Sequence, residues 1–328
     1  MPTLPQTELP IIQSPMAGGA TTPALVAAVA AAGALGFVAA GYLAAQQLRD
    51  QIAAVRERTR APFGANLFVP WPEQAPAVGH YAQEIAPDAD RLGVALGTPR
   101  WDDDDWAAKL DLLLADPLPV VTLTFGCPVD AIAALRNAGS AVGVTVTTVD
   151  EARQAVAAGA DALLLQGAEA GAHRGSWTPD TEPVPLAVLL ASVRADVPLV
   201  AAGGIADAAG VRAVLAAGAT YAQVGTALLR SPESGAQPVH KDALAKPAET
   251  TITRTFTGRR ARGIVNAFIR DHSAAEIEAY PQVHHLTRPL RAAAAKAGDP
   301  DRMALWAGTG HASAQDAPAA EIIRTLAP

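Results

Sequence analysis

The chain has 328 residues, half of them hydrophobic and only 17% charged, so it can bury a sizeable core unaided. A net charge of −7, with no basic run longer than Arg259-Arg260, argues against nucleic acid as a partner. The single cysteine, Cys127, excludes an internal disulfide framework and a cysteine-built zinc site, and fits a reducing cytoplasm.

Met1 to Pro10 carries neither a basic start nor a continuous apolar run, so no signal peptide is expected. The apolar stretch from Ala24 to Ala40 is alanine-rich and interrupted by Gly33 and Gly36. It reads as a helix running into a strand rather than a membrane span.

Along the chain one unit recurs: an alanine-rich amphipathic helix, a glycine stop, then a short apolar run. Ala27 to Gly33 precedes Leu35 to Ala40, and Ala131 to Gly139 precedes Ala141 to Thr147. Glu151 to Gly159 and Ala208 to Gly218 repeat the pattern before Ala162 to Gln166 and Tyr221 to Thr226. Strands that are apolar throughout are buried on both faces, as parallel strands are.

Eight candidate strands emerge: 11–14, 35–39, 63–67, 120–124, 142–146, 162–166, 199–202 and 221–224. Eight alternating units predict an α/β fold, a (β/α)8 TIM barrel over residues 1–230, with an open doubly wound sheet as the alternative. Residues 70–118 are too long for one crossover and read as an inserted helical segment over one rim. Within them the run Asp102 to Asp105 reads as a solvated helix start, and no metal site is expected. After Leu229 the alternation stops. Residues 231–328 read as a helical and loop extension covering the site.

In such a barrel the reactive groups sit at the C-terminal strand ends. Ser14-Pro15-Met16-Ala17-Gly18-Gly19 ends strand one, Asn66 strand three, and Phe125-Gly126 strand four. Gln166, at the end of strand six, opens the loop Gly167-Ala168-Glu169-Ala170-Gly171-Ala172-His173-Arg174-Gly175. Gly203-Gly204 and Gly225-Thr226 end the last two strands, where many barrels bind phosphate, and Asp207 can cap the helix that follows. Asn66 and Gln166 each offer a donor and an acceptor, suited to a flavin pyrimidine edge or to bracing two loops.

His173 is the candidate acid or base, because small residues on either side leave room beside it. His240, His272 and His311 read as structural, His80 as surface, and Cys127 as a buried thiol without an activating base.

These residues resemble the nitronate monooxygenase family, class I bacterial type. The likeness runs over nearly the whole chain. It includes Pro15 to Gly19, Phe63 to Phe68, the His173 loop, Gly203-Gly204, Thr253 to Gly263, Tyr280-Pro281 with His284 and Arg288, and Leu305 to Gly308.

The resemblance implies an FMN barrel that oxidises alkyl nitronates such as propionate 3-nitronate with O2, giving a carbonyl compound and nitrite. It implies that Met16, Ala17, Asn66, Gln166, Gly167, Gly171, Gly203, Gly204, Gln223, Val224, Gly225 and Thr226 hold the flavin. His173 would be the active-site base or a hydrogen-bond partner for the nitro group. Tyr280, His284 and Arg288, four apart on an expected helix, would close over an anionic substrate. A cytoplasmic monomer or homodimer is expected, with no nucleic acid or membrane partner. Ala172, His284 and Thr309 depart from the family pattern. Rival readings are a flavin NAD(P)H:quinone or enoyl-thioester reductase on the same barrel, and a non-catalytic barrel that binds a phosphate ligand.

Overall fold

The structure is a computed structural model describing residues 2–328. Its barrel strands are β1 (Ile11–Gln13), β2 (Gly36–Ala39), β3 (Phe63–Phe68), β4 (Val120–Thr124), β5 (Ala141–Val146) and β6 (Ala162–Gln166). After a two-residue strand β7 (Ala172–His173) come the last two barrel strands, β8 (Leu199–Ala202) and β9 (Tyr221–Val224). The eight barrel strands run parallel in the order β1-β9-β8-β6-β5-β4-β3-β2. The bridge Ile12–Leu35 joins the two edges, so the sheet closes into a (β/α)8 barrel and the open-sheet alternative is set aside.

The strands fall within a residue or two of their expected limits because their apolar runs face two cores at once. One cluster joins outward-facing strand residues such as Ile11, Val121 and Leu163 to the surrounding helices. The other draws Ile12, Phe37, Val120, Leu164, Val200 and Tyr221 into the barrel interior, with Leu4 beneath them. Gly64 leaves the space that the Phe37 ring fills, since a Cβ there would lie 2.4 Å from it. The glycine stops at 33, 139, 159 and 218 all carry positive φ, and Thr22, Thr148 and Asp207 cap helices with their side chains.

The Ala24–Ala40 stretch folds as the helix Pro23–Ala31 and strand β2. Among the described residues no helix is long and apolar enough to cross a membrane.

We propose a division near residue 230, and two elements qualify it. Within the 70–118 segment, the helix Trp106–Ala115 packs in the barrel's outer layer beside β3, whereas Gly79–Arg91 packs on the extension. The final helix Ala319–Thr325 returns to the barrel against Pro23–Ala31.

The extension holds strands β10 (Thr250–Thr253) and β11 (Ala261–Ile264) and the helices Pro238–Leu244, Ala267–His272 and Gln282–Ala297. Tyr81 and Ile85 of the insertion bury against Phe256, Phe268, Val283 and Leu290 of the extension, each contributing about 1.5–3 kcal/mol. A buried ionic knot adds to that contact. Asp88 accepts from Arg302 Nε at 2.5 Å and pairs with His272 Nε2 at 2.6 Å.

The aspartate run leads into the helix Trp106–Ala115 with exposed Asp105 at the N-cap position, as its composition predicts, and Lys109 gives it a second role. This lysine is almost fully buried, and Asp104 answers its charge at 2.8 Å. Asp104 also accepts from Tyr42 N, Asp105 from Ala45 N, and Asp102 pairs with His285. A buried cation needs a partner, so the run ties three segments together.

Candidate active site

The His173 loop is held from both ends. Gln166 closes β6 and uses its amide to clamp the loop, Nε2 donating to His173 O at 3.0 Å and Oε1 accepting from Gly175 N at 2.7 Å. The buried Arg174 guanidinium donates to the carbonyls of Gly167 and Gln166. Strand β7 then pairs antiparallel with β11, His173 opposite Ala261, so the extension sets the position of the imidazole.

The small residues of the loop serve close packing rather than leaving room beside the histidine. A Cβ on Gly171 would lie 2.6 Å from the backbone of Ala307 and Gly308, and one on Gly175 would lie 2.6 Å from Thr145. Ala172 sits at φ +60, in the left-handed region that favours glycine.

Thr257 Oγ1 lies 3.0 Å from His173 Nε2 and donates to Arg259 O at 3.2 Å. A hydroxyl has one proton, so it accepts from Nε2–H, and Nδ1 is left as the basic nitrogen. Phe125, Tyr280 and Trp306 surround the imidazole at centroid distances of 5.9, 5.5 and 5.9 Å. Burial, with the Arg259 and Arg291 cations nearby, pushes the His173 pKa down to about 3. At neutral pH the ring is therefore uncharged and able to accept a proton.

Arg259 is 3% exposed, its guanidinium lying 3.7 Å from the Phe125 ring centroid and 4.0 Å from that of Trp71. Arg291 Nη2 reaches His284 O at 3.0 Å, and its Nε donates to Thr287. His284 stacks on Tyr42 at 4.1 Å, and the Tyr280 hydroxyl lies 3.3 Å from that of Tyr42. Burial raises both tyrosine pKa values, which keeps the phenols protonated.

Tyr280 thus packs edge-on against the His173 ring, and His284 joins the cluster through Tyr42. Arg288 does neither, because it lies on the exposed face of its helix. Tyr280 precedes the helix, which begins at Gln282, so the three residues do not form one helical row. Arg291, a turn further on, takes the inward position, and Tyr42, Thr257 and Arg259 are further residues that the sequence reading did not single out. Tyr42 carried a signal, since it lies three residues beyond the end of β2.

The barrel's strand ends supply a second set of groups, a cradle of glycines and amides. Asn66 is 4% exposed; its Oδ1 accepts from Thr122 and Thr124, while its Nδ2 has no partner among the described residues. Gln223 Oε1 on β9 is buried and likewise unpartnered. Gly203 and Gly204 both take positive φ, and a Cβ on Gly204 would lie 2.9 Å from Glu169 and 3.2 Å from Thr309 Oγ1. Gly167 N donates to Ala202 O, Ser14 N to Val224 O, and Met16 packs beside Gly225. Thr226 Oγ1 accepts from Gly308 N at 3.0 Å and keeps its own proton to donate. Ala17 begins the turn into Gly18 and Gly19, whose Cα positions face open space.

A phosphate-bearing isoalloxazine fits this donor set. Unpaired amide groups suit its pyrimidine edge, and glycine amides and a hydroxyl two strands on suit its phosphate. The remaining histidines lie apart from the cradle. His240 and His311 bond to backbone carbonyls, His272 to Asp88, and His80 is exposed.

A closed barrel with glycines and unpaired amides at its strand ends, and with a buried uncharged imidazole on one of its loops, defines the class: a TIM-barrel oxidoreductase built for a flavin. Residues 4–328 match the family model described as nitronate monooxygenase, and the chain belongs to that flavoenzyme family.

It is 40% identical over 333 residues to a nitronate monooxygenase of Pseudomonas aeruginosa, covering 97% of this chain and 95% of that protein. It is 40% identical over 313 residues to a probable nitronate monooxygenase of Bacillus subtilis, covering 92% and 90%. Among solved structures, a nitroalkane oxidase from Streptomyces ansochromogenes superposes with a TM-score of 0.96 at 50% identity, covering 98% and 95%. FabK from Thermotoga maritima gives 0.77 at 30% identity, covering 98% and 92%.

Proposed function

We propose that this chain is an FMN-dependent nitronate monooxygenase that converts alkyl nitronates and O2 into a carbonyl compound and nitrite. The carrying observation is the buried imidazole of His173, its Nε2 on Thr257 Oγ1 and its ring packed against Tyr280 and Trp306, with the Arg259 and Arg291 cations near enough to lower its pKa. Bound FMN would supply the electron transfer between substrate and oxygen.

The protein's own part is positional and electrostatic. Asn66, Gln223, Met16 and Ala17 would hold the flavin ring, and Gln166, Gly167 and Gly171 would fix the loop beside it. Gly203, Gly204, Val224, Gly225 and Thr226 would hold its phosphate. Tyr280 and Tyr42 present phenolic protons, and Arg291 beside His284 draws in the nitronate oxygens. For a neutral nitroalkane, His173 Nδ1 takes the α-proton. An anion between the arginines raises the basicity of His173, so substrate binding itself readies the base.

The activity belongs in the cytoplasm of a cell that meets nitro compounds, in a monomer or homodimer. Mixing the purified yellow protein with propionate 3-nitronate in air should release nitrite, and heat should free FMN rather than FAD. A protein that makes no nitrite, but whose flavin is bleached anaerobically by reduced nicotinamide, is instead the reductase that the FabK likeness allows.

A further inference from the structure

Tyr42 stands in a strained backbone conformation. It lies in the loop between β2 and the helix Ala45–Arg58 with φ +68, a region that bulky side chains rarely adopt. Such an outlier persists only where its surroundings hold it.

The aspartate run supplies the hold. Asp104 Oδ1 accepts from Tyr42 N at 2.7 Å, and Asp105 Oδ2 accepts from Ala45 N at 2.6 Å, so the loop is fixed at two points. Asp104 is itself anchored by Lys109 Nζ at 2.8 Å, from the helix Trp106–Ala115, where the lysine side chain is 1% exposed. A buried ion pair adds little stability, since apolar residues of the same volume often do as well or better. What it supplies that apolar packing cannot is an oriented acceptor, aimed here at one amide.

Tyr42 passes that constraint on to the site. Its ring lies parallel to that of His284, with 4.1 Å between centroids and 9° between planes. Its hydroxyl lies 3.3 Å from that of Tyr280, whose ring meets His173 at 5.5 Å. The same run reaches the far side of the stack, because Asp102 pairs with His285, the neighbour of His284 in the chain.

We propose that Asp104, anchored by Lys109, is a positioning residue for Tyr42, and that through the Tyr42–His284 stack it sets the face against which substrate is placed. Neither Asp104 nor Lys109 touches the reacting atoms. The consequence for turnover rests on the nitronate reading above; the hold on Tyr42 does not.

Two double variants separate the acceptor from the charge. D104A/K109M removes both charges and the acceptor, whereas D104N/K109M removes both charges and keeps an amide oxygen for Tyr42 N. The chain has four tyrosines, Tyr42, Tyr81, Tyr221 and Tyr280, so holoenzyme labelled with 3-fluorotyrosine gives four fluorine resonances, assigned by single Tyr→Phe exchanges. In D104A/K109M the Tyr42 and Tyr280 resonances should shift while those of Tyr81 and Tyr221 stay. In D104N/K109M all four should stay near the parent. With propionate 3-nitronate, D104A/K109M should raise KM about tenfold with kcat within about threefold, and D104N/K109M should largely restore KM.

An unmoved Tyr42 resonance in D104A/K109M overturns the proposal, and so does an equal shift at Tyr81 and Tyr221. A D104N/K109M spectrum that matches D104A/K109M overturns it as well, since the charge rather than the acceptor would then hold the loop. If D104A/K109M does not fold, D102A tests the stack from its other side, at a side chain 39% exposed. The Tyr42 resonance should shift there too, and its staying in place overturns the proposal. The fluorine spectra need no turnover, so a shifted Tyr42 in a protein that makes no nitrite leaves the hold standing and removes only the nitronate reading.

Discussion

The barrel and the extension contribute opposite chemistry to one site. The barrel's strand ends offer glycine backbone, the Asn66 and Gln223 amides and the Thr226 hydroxyl, with no charged side chain among them. The extension brings Thr257, Arg259, Tyr280, His284 and Arg291, which set the charge and protonation state of a histidine carried on a barrel loop. The barrel half suits a cofactor that the fold family shares, and the extension half suits a particular substrate. The likeness to FabK at 30% identity and a TM-score of 0.77 agrees with this, since architecture persists where detail has diverged.

The sharpest way to break this comparison is H173N. If the extension tunes a base, turnover of a neutral nitroalkane should fall by about 10²–10⁴-fold, and turnover of a preformed nitronate by much less. Equal small losses on both substrates would mean that His173 only positions the loop. Next in size, R291M should raise the KM for nitronate roughly 10- to 100-fold with little change in flavin content, the cost of one charge-assisted contact. Flavin loss in this variant would show that the two halves are not separable.

The seam between the halves can be tested at Gly171. A methyl there meets the backbone of Ala307 and Gly308 at 2.6 Å, and neither can swing aside. G171A should cost about 1–3 kcal/mol and lower the melting temperature by several degrees. An unchanged melt would mean that the loop and residues 307–308 dock loosely.

Much of the fold was legible in the sequence, and much of the extension's part in the site was not, for one physical reason. Barrel strands are stretches of local pattern, so a glycine stop followed by an apolar run locates β5, β6 and β9 without knowledge of their neighbours. Contacts such as His173 with Thr257, 84 residues apart, depend on how the extension lies across the barrel. Spacing misled at Arg288. Residues four apart on a helix drift about 40° per step, so a row through 284 and 288 turns outward while 284, 287 and 291 stay on one face. The same limit hid the roles of Asp104, which pairs with the buried Lys109, and of Asp102, which pairs with His285.

Acid should loosen the extension's grip by a definable route. Burial lowers the His240 pKa to about 4, and its Nε2 lies 3.0 Å from Trp306 O, beside the His173 pocket. The folded state therefore binds fewer protons than the unfolded chain between about pH 4 and 6.5. Stability is full above pH 6.5 and lost as pH falls through that window. Urea unfolding at pH 7 and pH 5.5 should differ by up to about 1.4 kcal/mol from this group, and H240Q should remove that share. His173, lowered to about 3, adds a loss of the same sign. An identical pH slope in H240Q and the parent would show that His240 is not buried neutral.

The smallest expected effect falls on Ala172, which departs from the family pattern inside the most specific loop. Its φ of +60 places a Cβ in the left-handed region, at a cost of about 1–2 kcal/mol. Glycine removes that strain but loses more backbone entropy on folding, about 0.5–1 kcal/mol, so A172G should stabilise by no more than about 1 kcal/mol. The ladder from β7 to β11 depends on backbone alone, with Arg262 opposite Ala172, and is unaffected by the exchange. Nitronate turnover in A172G should therefore match the parent within about twofold, alongside a small rise in melting temperature. A large change in KM would instead mean that the methyl touches the substrate, and would move specificity from the extension to the barrel's own loop.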